Sequence, residues 1–357
     1  MERKDLEFCL NCSIPDISKQ EIWIWGAGNT SLLYQEGFKR IENDIKIQGY
    51  IDTDPKKIGN TFYGKRVIAP DGIKQNNNIC VLISTVREEV IEEIVEHCNR
   101  LGMEWHLLDE IVLKKHRLEV LECYDLLEDE HSKLIYSELV KWHLTGKKPK
   151  MEIKEQNQYF CMAPFSCNNK EEVFIDCGAF IGDTIEEYIR KKNGEFKKII
   201  AFEPDPVNFQ RLERCRDFLI RENDLSEYKI MTYPYGVGSS EKRLHCEHYE
   251  NNDGLGSKFT ENDSKSGGDC RIISLDEFID EPYSFLKADI ESYEYQMLLG
   301  AQEGIKKNKP LLAICIYHNS VDIYSIPLLV KKFVPEYKIA VRHHGEDLSE
   351  TVMYAWV

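Results

Sequence analysis

The chain contains two apolar strand candidates that each run directly into a glycine turn and then into a helical pattern. The first is "EIWIW" at residues 21–25, followed by "GAGNTS", and the second is "VFIDC" at residues 173–177, followed by "GAFIGDT". Further strands, such as "KIQGYID" at 46–52 and "ICVLIST" at 79–85, alternate with helical patterns, such as "VREEVIEEIVEHCNRLG" at 86–102 and "YEYQMLLGAQEGIKKN" at 293–308. Such alternation builds a parallel sheet with helices on its faces. The sequence therefore predicts an α/β protein with two Rossmann-like domains. The polar stretch at 248–269 is interpreted as a loop over one end of the sheet.

Residues 116–150 separate these two patterns and lack strand patterning. They are typical of helices, and they end at "TGKKPK", a Gly/Lys/Pro stop signal. A length of 357 residues also favours two domains at roughly 150 residues each. We predict a first domain at residues 1–115, a helical connector at 116–160 and a second domain at 161–357.

The last two strand candidates, "YKIAVRHH" and "TVMYAWV", are separated only by "GEDLSE". A connection this short has no room for a crossover helix, so the final pair must form an antiparallel hairpin. A parallel sheet that ends in such a hairpin excludes most simple Rossmann dehydrogenase layouts. It is the pattern of a class I methyltransferase sheet.

The formal net charge of -16 and the lack of a long Lys/Arg block argue against nucleic acid as a partner. No run of about 18 apolar residues predicts a membrane span, and the absence of an apolar signal region predicts a cytoplasmic protein. Most of the 12 cysteines stand alone in apolar runs and are interpreted as reduced core residues. Cys9 and Cys12 have zinc-like spacing, but no second pair follows at a suitable distance, so no metal site is predicted.

The turn after residue 177 does not have the spacing of a dinucleotide loop, because Gly178 and Gly182 are four residues apart. Asp176 and Asp183 would repel a phosphate and favour a cationic ligand. Glu203 ends the next strand, "IIAFEPD", where a carboxylate can accept hydrogen bonds from both ribose hydroxyls. S-adenosylmethionine has a ribose and a cationic group and has no pyrophosphate, so these residues favour it as the ligand. The competing interpretation is that both glycines serve packing and that Glu203 is an exposed strand-end acid.

Six segments in this order resemble the FkbM family of S-adenosylmethionine-dependent methyltransferases over about residues 160–357. They are "VFIDCGAFIGDT", "AFEPDP", "YGVGS", "ISLDEFI", "KADIESYEYQMLLGA" and "YHNSVDIYSIP". The resemblance implies methyl transfer to oxygen, commonly a hydroxyl of a sugar or a polyketide-like product. It also implies that the turn holds the methionine end, Glu203 the ribose, and Gly238 with Ser239 the adenine side. The predicted cofactor-binding residues are Asp176, Gly178, Ala179, Gly182, Asp183, Thr184, Glu203, Pro204, Gly238, Ser239 and Asp289.

This chain departs from the family after the fourth strand of the second domain. Family members often carry "D-V-E-G" there, whereas this chain has "DIESYE". Ser292 and Tyr293 replace the glycine region, which bears on the substrate side of the site.

Methyl transfer to a hydroxyl needs an aligned acceptor oxygen and a group that takes its proton. Asp289 and Glu291 follow the fourth strand, and His318 follows the fifth. His318 is the first base candidate because its ordinary pKa is nearest neutrality, and the alternative is a hydrogen-bonded strand-end histidine. Asp289 and Glu291 could instead hold a divalent cation, or Asp289 could contact the methionine amine. His343 and His344 line the acceptor site or belong to an exposed turn.

The first glycine turn has Gly26 and Gly28, but Ser31 occupies the third glycine position of the dinucleotide fingerprint. Together with Asp52, the segment "GYIDTDPKKIGNTFYGKRVIAP" resembles the nucleotide-sugar-binding Rossmann-like domain at the front of some bacterial sugar acyltransferases and polysaccharide-biosynthesis proteins. The resemblance covers about residues 20–110 and implies that Gly26, Gly28 and Asp52 hold a nucleotide or nucleotide sugar. The alternative is a degenerate domain kept for support or for dimerisation, and in the second case the protein would be a homodimer.

The sequence thus predicts a cytoplasmic O-methyltransferase that methylates a hydroxyl of a carbohydrate, nucleotide sugar or glycan precursor, as in polysaccharide biosynthesis. One rival is an NAD-dependent sugar dehydrogenase or epimerase built on the first Rossmann unit. That class predicts a Tyr-x-x-x-Lys pair or a catalytic Cys near that unit, and the match based on Tyr50 fails because residue 54 is Asp54. The other rival is a non-catalytic nucleotide-sugar-binding protein.

Overall fold

A computed structural model describes residues 3–12, 17, 20–28, 31, 46–73, 78–248, 257–260 and 268–357, with the backbone alone at 246–248, 257–260 and 268–269. Contacts within the chain divide it into two compact units. Unit 1 comprises Met1–Lys154, Ile316–Leu328 and Val341–Thr351, and unit 2 comprises Glu155–Cys315, Leu329–Ala340 and Val352–Val357. The helical residues 116–154 thus lie in unit 1. The domain boundaries at 115 and 160 stay a prediction.

Unit 1 contains a six-stranded sheet of order β3-β4-β2-β1-β5-β6. β1 lies in the middle and pairs in parallel with β2 on one side and with β5 on the other. The predicted strands at 21–25, 46–52 and 79–85 are confirmed, whereas the predicted helix after Gly26 lies mostly outside the described residues. The strands are β1 Glu21–Trp25, β2 Ile47–Ile51, β3 Thr61–Phe62, β4 Lys65–Ile68, β5 Ile79–Ile83 and β6 Glu104–Leu107.

The helix after β5 and the helices within residues 116–150 follow predicted helical patterns, whereas the helices Arg3–Asn11 and Leu108–Lys115 were not predicted. Ile91, Ile94 and Cys98 recur at helical spacing and are buried against the sheet. Asp129 caps a later helix by accepting a hydrogen bond from the Ser132 amide at 2.7 Å. The helices are α1 Arg3–Asn11, α2 Glu88–Leu101, α3 Leu108–Lys115, α4 Arg117–Leu126 and α5 Glu130–Thr145, with a 3₁₀ turn at Pro70–Gly72.

A seven-stranded sheet of order β16-β17-β15-β14-β7-β8-β9 follows in the second half of the chain. β17 pairs antiparallel with β15, while β7, β8, β9, β14 and β15 pair in parallel. Residues 344–350 join β16 directly to its neighbour β17, which confirms the predicted terminal hairpin. The strands are β7 Val173–Cys177, β8 Lys198–Phe202, β9 Ile230–Tyr233, β14 Phe285–Ala288, β15 Leu311–Cys315, β16 Lys338–His343 and β17 Thr351–Trp356.

Unit 2 also contains a four-stranded sheet of order β10-β13-β11-β12, which the sequence did not predict. The polar stretch 248–269 was interpreted as one loop, but β12 Ser257–Thr260 pairs antiparallel with β11 Lys242–His248. β13 Gly268–Ile273 pairs with β11 and with β10 Tyr235–Val237. The polar, glycine- and asparagine-rich composition of this stretch conceals its strands, because these residues are depleted in strands generally.

An aromatic cluster fixes the helix Asp183–Lys191, which follows the second glycine turn, on strand β7. Tyr188 stacks on Phe174 with ring centroids 4.5 Å apart, and Phe285 lies 4.8 Å from Phe174. The Tyr188 hydroxyl also donates to Glu172 at 2.8 Å, so the helix is held at a fixed height above β7. This packing positions the glycine turn that joins the two elements.

The remaining helices are α6 Ala163–Ser166, α7 Asp183–Lys191, α8 Pro206–Glu222, α9 Leu275–Phe278, α10 Glu294–Leu299, α11 Gln302–Asn308 and α12 Asp322–Phe333, with a 3₁₀ turn at Glu227–Lys229. One helix was predicted over residues 293–308, but it breaks at Gly300. A Cβ at Gly300 would lie 2.0 Å from the Gly238 carbonyl oxygen, so two backbones touch there. Among the described helices, none combines the length and the apolar character needed to cross a membrane.

Candidate functional site

Both glycines of the turn after β7 have left-handed backbones, with φ of +77° at Gly178 and +95° at Gly182. A Cβ at Gly178 would lie 1.9 Å from the carbonyl oxygen of Asp289. A Cβ at Gly182 would lie 2.8 Å from the sulfur of Cys215. Both glycines therefore allow close packing, as the competing interpretation of the sequence expected. The close approach at Gly178 brings the turn into contact with the residue that follows β14.

Glu203 fastens this turn to the end of β8. Its two carboxylate oxygens accept hydrogen bonds from the amides of Phe180 and Asp205, each at 2.9 Å. The side chain is 7% exposed, so the interpretation of Glu203 as an exposed strand-end acid is wrong. Each oxygen has a second lone pair and can accept one further hydrogen bond. Burial raises the pKa of Glu203 to about 7, although the two amide hydrogen bonds favour the charged form.

Asp176 is completely buried and forms an ion pair with Lys287, with 3.0 Å between Nζ and Oδ1. Lys287 also donates to the carbonyl oxygen of Gly178 at 2.8 Å. Burial raises the pKa of Asp176 to about 6 because the nearby ammonium only partly offsets the loss of water. Burial by itself would lower the pKa of Lys287, but the negative charges of Asp176 and Asp289 outweigh burial and raise this pKa. Lys287 thus links the Asp176 carboxylate to the backbone of the turn.

Two residues of the site were missed at the level of sequence. Lys287 had a signal, because a lysine inside the apolar run "FLKADI" of a parallel strand must find a buried partner. Tyr159 had none, since it lies in the predicted connector. Its hydroxyl donates to Asp289 Oδ2 at 2.9 Å, and its ring lies 5.1 Å from the Lys287 ammonium.

The segment after β14 carries two consecutive left-handed residues that are not glycine. Glu291 has φ +54° and Ser292 has φ +74°. The side chain of Glu294 accepts a hydrogen bond from the Ile290 amide at 2.7 Å and supports this turn. Asp289 is half-buried and Glu291 is exposed. Ser292 thus keeps the backbone conformation that suits the glycine of the family pattern, and it does so with strain.

The other predicted cofactor residues differ in exposure. Ala179 and Thr184 are buried, Pro204 is half-buried, and Asp183 is exposed at the start of α7. Gly238 is buried and follows β10, while Ser239 next to it is exposed.

The three predicted histidines, His318, His343 and His344, are all buried. His318 follows β15, and its ring centroid lies 4.1 Å from that of Tyr317. His343 Nδ1 lies 2.8 Å from Thr351 Oγ1, and burial, with the neighbouring His344, lowers the pKa of His343 to about 4. The alternative interpretation of His343 and His344 as part of an exposed turn is therefore wrong.

The glycine turn of unit 1 is built on the same plan. Gly26 has φ +117°, and the next amide, that of Ala27, donates to Asp52 Oδ2 at 2.9 Å. Ser31 replaces the third glycine and donates to the Gly26 carbonyl oxygen at 2.5 Å, and its hydroxyl also lies 2.6 Å from that of Ser84. The structure thus brings Gly26 and Asp52 together across the ends of β1 and β2.

The sheet order, the terminal hairpin and the turn after β7 define a methyltransferase fold. Residues 176–337 match the family model described as the methyltransferase FkbM domain. Residues 18–105 match a model described as C2185-like, N-terminal. That second match leaves the resemblance to nucleotide-sugar-binding domains a prediction.

Among solved structures, methyltransferase FkbM from Methylobacillus flagellatus KT matches with a TM-score of 0.60 at 19% identity, covering 99% of this chain and 98% of that one. At this identity the match shows the fold. An rRNA methylase from Streptococcus thermophilus matches with a TM-score of 0.30 at 14% identity, covering 53% of this chain and 87% of that one, which is too dissimilar to add to the conclusion. The comparison with curated proteins gave no match.

Proposed function

We propose that the second half of the chain is an S-adenosylmethionine-dependent O-methyltransferase that acts on a hydroxyl of a carbohydrate, nucleotide sugar or glycan precursor. The observation that carries the proposal is the placement of two carboxylates around one turn. β7 lies between β14 and β8, and Asp289 and Glu203 follow these two neighbours. The turn after β7 contacts both, through the Gly178–Asp289 backbone approach and the Phe180–Glu203 hydrogen bond.

These residues fit the cofactor by the chemistry of their donors and acceptors. S-adenosylmethionine would supply a methyl group on a positively charged sulfur. Its ribose has two hydroxyl donors, which the remaining lone pairs of Glu203 can accept. Its ammonium group suits the half-buried carboxylate of Asp289. Since Lys287 is paired with Asp176, the buried lysine does not make this edge attractive to a pyrophosphate.

The chain also supplies groups for handling the proton of the acceptor hydroxyl. In the proposal His318 takes that proton. The Tyr159 hydroxyl fixes the orientation of Asp289, and Asp289 positions the ligand. Glu291 is exposed and contributes negative charge at the entrance. Cytoplasmic location and a homodimeric state belong to the same proposal.

Isotope-labelled methyl transfer to extracted glycans and nucleotide sugars, followed by mass spectrometry, tests the reaction. We expect label on a sugar hydroxyl with the intact protein and its loss in His318→Asn, with cofactor affinity retained. Glu203→Ala should weaken cofactor binding roughly 10- to 100-fold, since it removes hydrogen bonds to a charged acceptor. Glu222→Ala, an exposed change at the end of α8, is the matched control. Binding of NAD without binding of S-adenosylmethionine would overturn the proposal.

A further inference from the structure

Unit 1 has a cavity of about 190 Å³ at the carboxyl edge of its sheet. Gly26 follows β1 and lines one side, while Ser84 and Thr85 follow β5 and line the other. The chain leaves β1 for β2 on one side and later returns to β5 on the other, so this is the point where strand order reverses. In open α/β sheets, ligands bind at that point.

Asp52 in this cavity is not arranged to hold a ribose in the way a dinucleotide requires. Its Oδ2 accepts hydrogen bonds from the Ala27 amide at 2.9 Å and from Lys57 Nζ at 3.0 Å. Its Oδ1 accepts one from the Asp54 amide at 2.9 Å. A carboxylate has about four acceptor sites in total. With three in use, Asp52 cannot take both hydroxyls of a ribose while it keeps Lys57.

Lys57 is the cation of the cavity. Its side chain is 39% exposed, and its ammonium would lie 3.3 Å from a Cβ built at Gly28, so it faces bare backbone. One of the three N–H donors of its ammonium bonds Asp52, and the ammonium forms no other hydrogen bond within the described part of the chain. The ammonium is therefore held in place by Asp52 and directed at the position where a ligand would meet the glycine turn.

The remaining walls are suited to a small polar ligand with one apolar face. The hydroxyls of Ser31 and Ser84 lie at the floor, 2.6 Å apart, and Val90 and Ile94 of α2 form an apolar wall. Pockets for drug-sized ligands usually measure roughly 300 to 1,000 Å³. The volume of about 190 Å³ suits a ligand smaller than a dinucleotide.

We infer that this cavity binds a small phosphorylated sugar, with Lys57 contacting the phosphate and the half-buried hydroxyl of Thr85 contacting the sugar. The inference concerns unit 1 alone and does not depend on methyl transfer. The shared chemistry is a phosphate ester on a sugar, which a free hexose phosphate and a nucleoside monophosphate both provide. NAD is the wrong ligand because its ribose needs two acceptor sites on Asp52, where three of about four are already in use.

Isothermal titration of the full chain with glucose 1-phosphate, uridine monophosphate, inorganic phosphate and NAD tests the inference. We expect one of the two esters to bind more tightly than inorganic phosphate and NAD, and the tighter ester identifies the source. Lys57→Met should weaken that binding roughly 10- to 100-fold, because it removes a charge-assisted hydrogen bond and leaves the apolar stem. Lys57→Arg should retain binding within a few-fold.

Lys56→Met is the matched control, because it makes the same charge change at the exposed neighbouring residue. It should leave affinity within about twofold, as expected of a screened surface charge. Thermal melting of each variant checks folding. Three outcomes would each overturn the inference: NAD binding more tightly than both esters, no ester binding at millimolar concentration, or equal affinities in Lys57→Met and Lys56→Met.

Discussion

The two glycine turns of this chain share a backbone plan and differ in electrostatics. In each, a central parallel strand enters the turn, and an amide of the turn bonds an acid at the end of the neighbouring strand: Ala27 to Asp52, and Phe180 to Glu203. Asp52 also bonds Lys57. Burial by itself would raise the pKa of Asp52, but its hydrogen bonds with amides and with Lys57 outweigh burial and lower this pKa. Burial dominates at Glu203 and raises its pKa to about 7. One plan thus places a cation beside the acid in unit 1 and leaves hydrogen-bond acceptors at the acid in unit 2.

The largest expected effect is at the second turn, in Gly178→Ala. The new Cβ would lie 1.9 Å from a backbone carbonyl that cannot move away cheaply. We expect a loss of about 5 kcal/mol or more in the free energy of unfolding, or no folding. Gly194→Ala is the control, because φ is +71° there but a Cβ meets open space, so only about 1–2 kcal/mol should be lost. Urea denaturation measures both, and equal losses would show that the close approach is not rigid.

The second-largest expected effect is a difference between the two turns in how much their ion pairs stabilise the protein. Lys287→Met leaves the buried charge of Asp176 without its partner and should cost about 3–5 kcal/mol of unfolding free energy at neutral pH. Lys57→Met breaks a partly exposed pair and should cost about 1 kcal/mol or less. The double variant Asp176→Asn with Lys287→Met should regain part of the loss. A similar loss for Lys57→Met and Lys287→Met in chemical denaturation would remove the contrast between buried and exposed pairs.

The pH dependence of stability should have opposite signs at the two acids. The folded pKa of Glu203 is about 7 against an ordinary 4.5, so the folded state holds the proton more tightly and stability falls as pH rises from about 4.5 to 7. At 1.36 kcal/mol per pKa unit this amounts to up to about 3 kcal/mol. Asp52 has a lowered pKa, so its contribution is present above its unfolded pKa and is lost as pH falls through the folded value.

Glu203→Gln should therefore flatten the decline of unfolding free energy between pH 4.5 and 7, whereas Asp52→Asn should remove a gain at lower pH. The slope of unfolding free energy against pH is the measured quantity, because each substitution also changes hydrogen bonds. If Glu203→Gln leaves the slope unchanged, the acid titrates normally and the contrast between the turns is wrong. Binding of S-adenosylmethionine, if it uses the charged form, should also weaken as pH falls below about 7.

The smallest expected effect is at the strained turn after β14. Ser292→Gly should stabilise the protein by about 1 kcal/mol, because glycine adopts φ +74° without the penalty of a Cβ. Ser292→Ala keeps the penalty and should give no gain. Thermal melting distinguishes the two. A gain in both would show that the serine hydroxyl, rather than the backbone, carries the cost.

Local patterns predicted the strands and the placement of acids at their ends. Apolar runs bounded by turns predicted β1, β7, β8, β14 and β15, and the short connection at 344–350 predicted the terminal hairpin. Since parallel strands meet at one edge, the position of Glu203 and Asp289 followed from the same pattern. The sheet formed by β10 to β13 was missed because its pairings join distant segments through a polar stretch.

The sequence by itself determined two Rossmann-like sheets, the terminal hairpin and the acids at their carboxyl edges, because strand periodicity and connection length are local properties. Only the tertiary structure decided which charges those acids meet. Lys287 reaches Asp176 from a strand 111 residues away, and Tyr159 reaches Asp289 across 130 residues. Burial sets the pKa of Glu203, and a bond to Lys57 occupies Asp52. These effects arise from low-dielectric surroundings that residues distant in sequence build together.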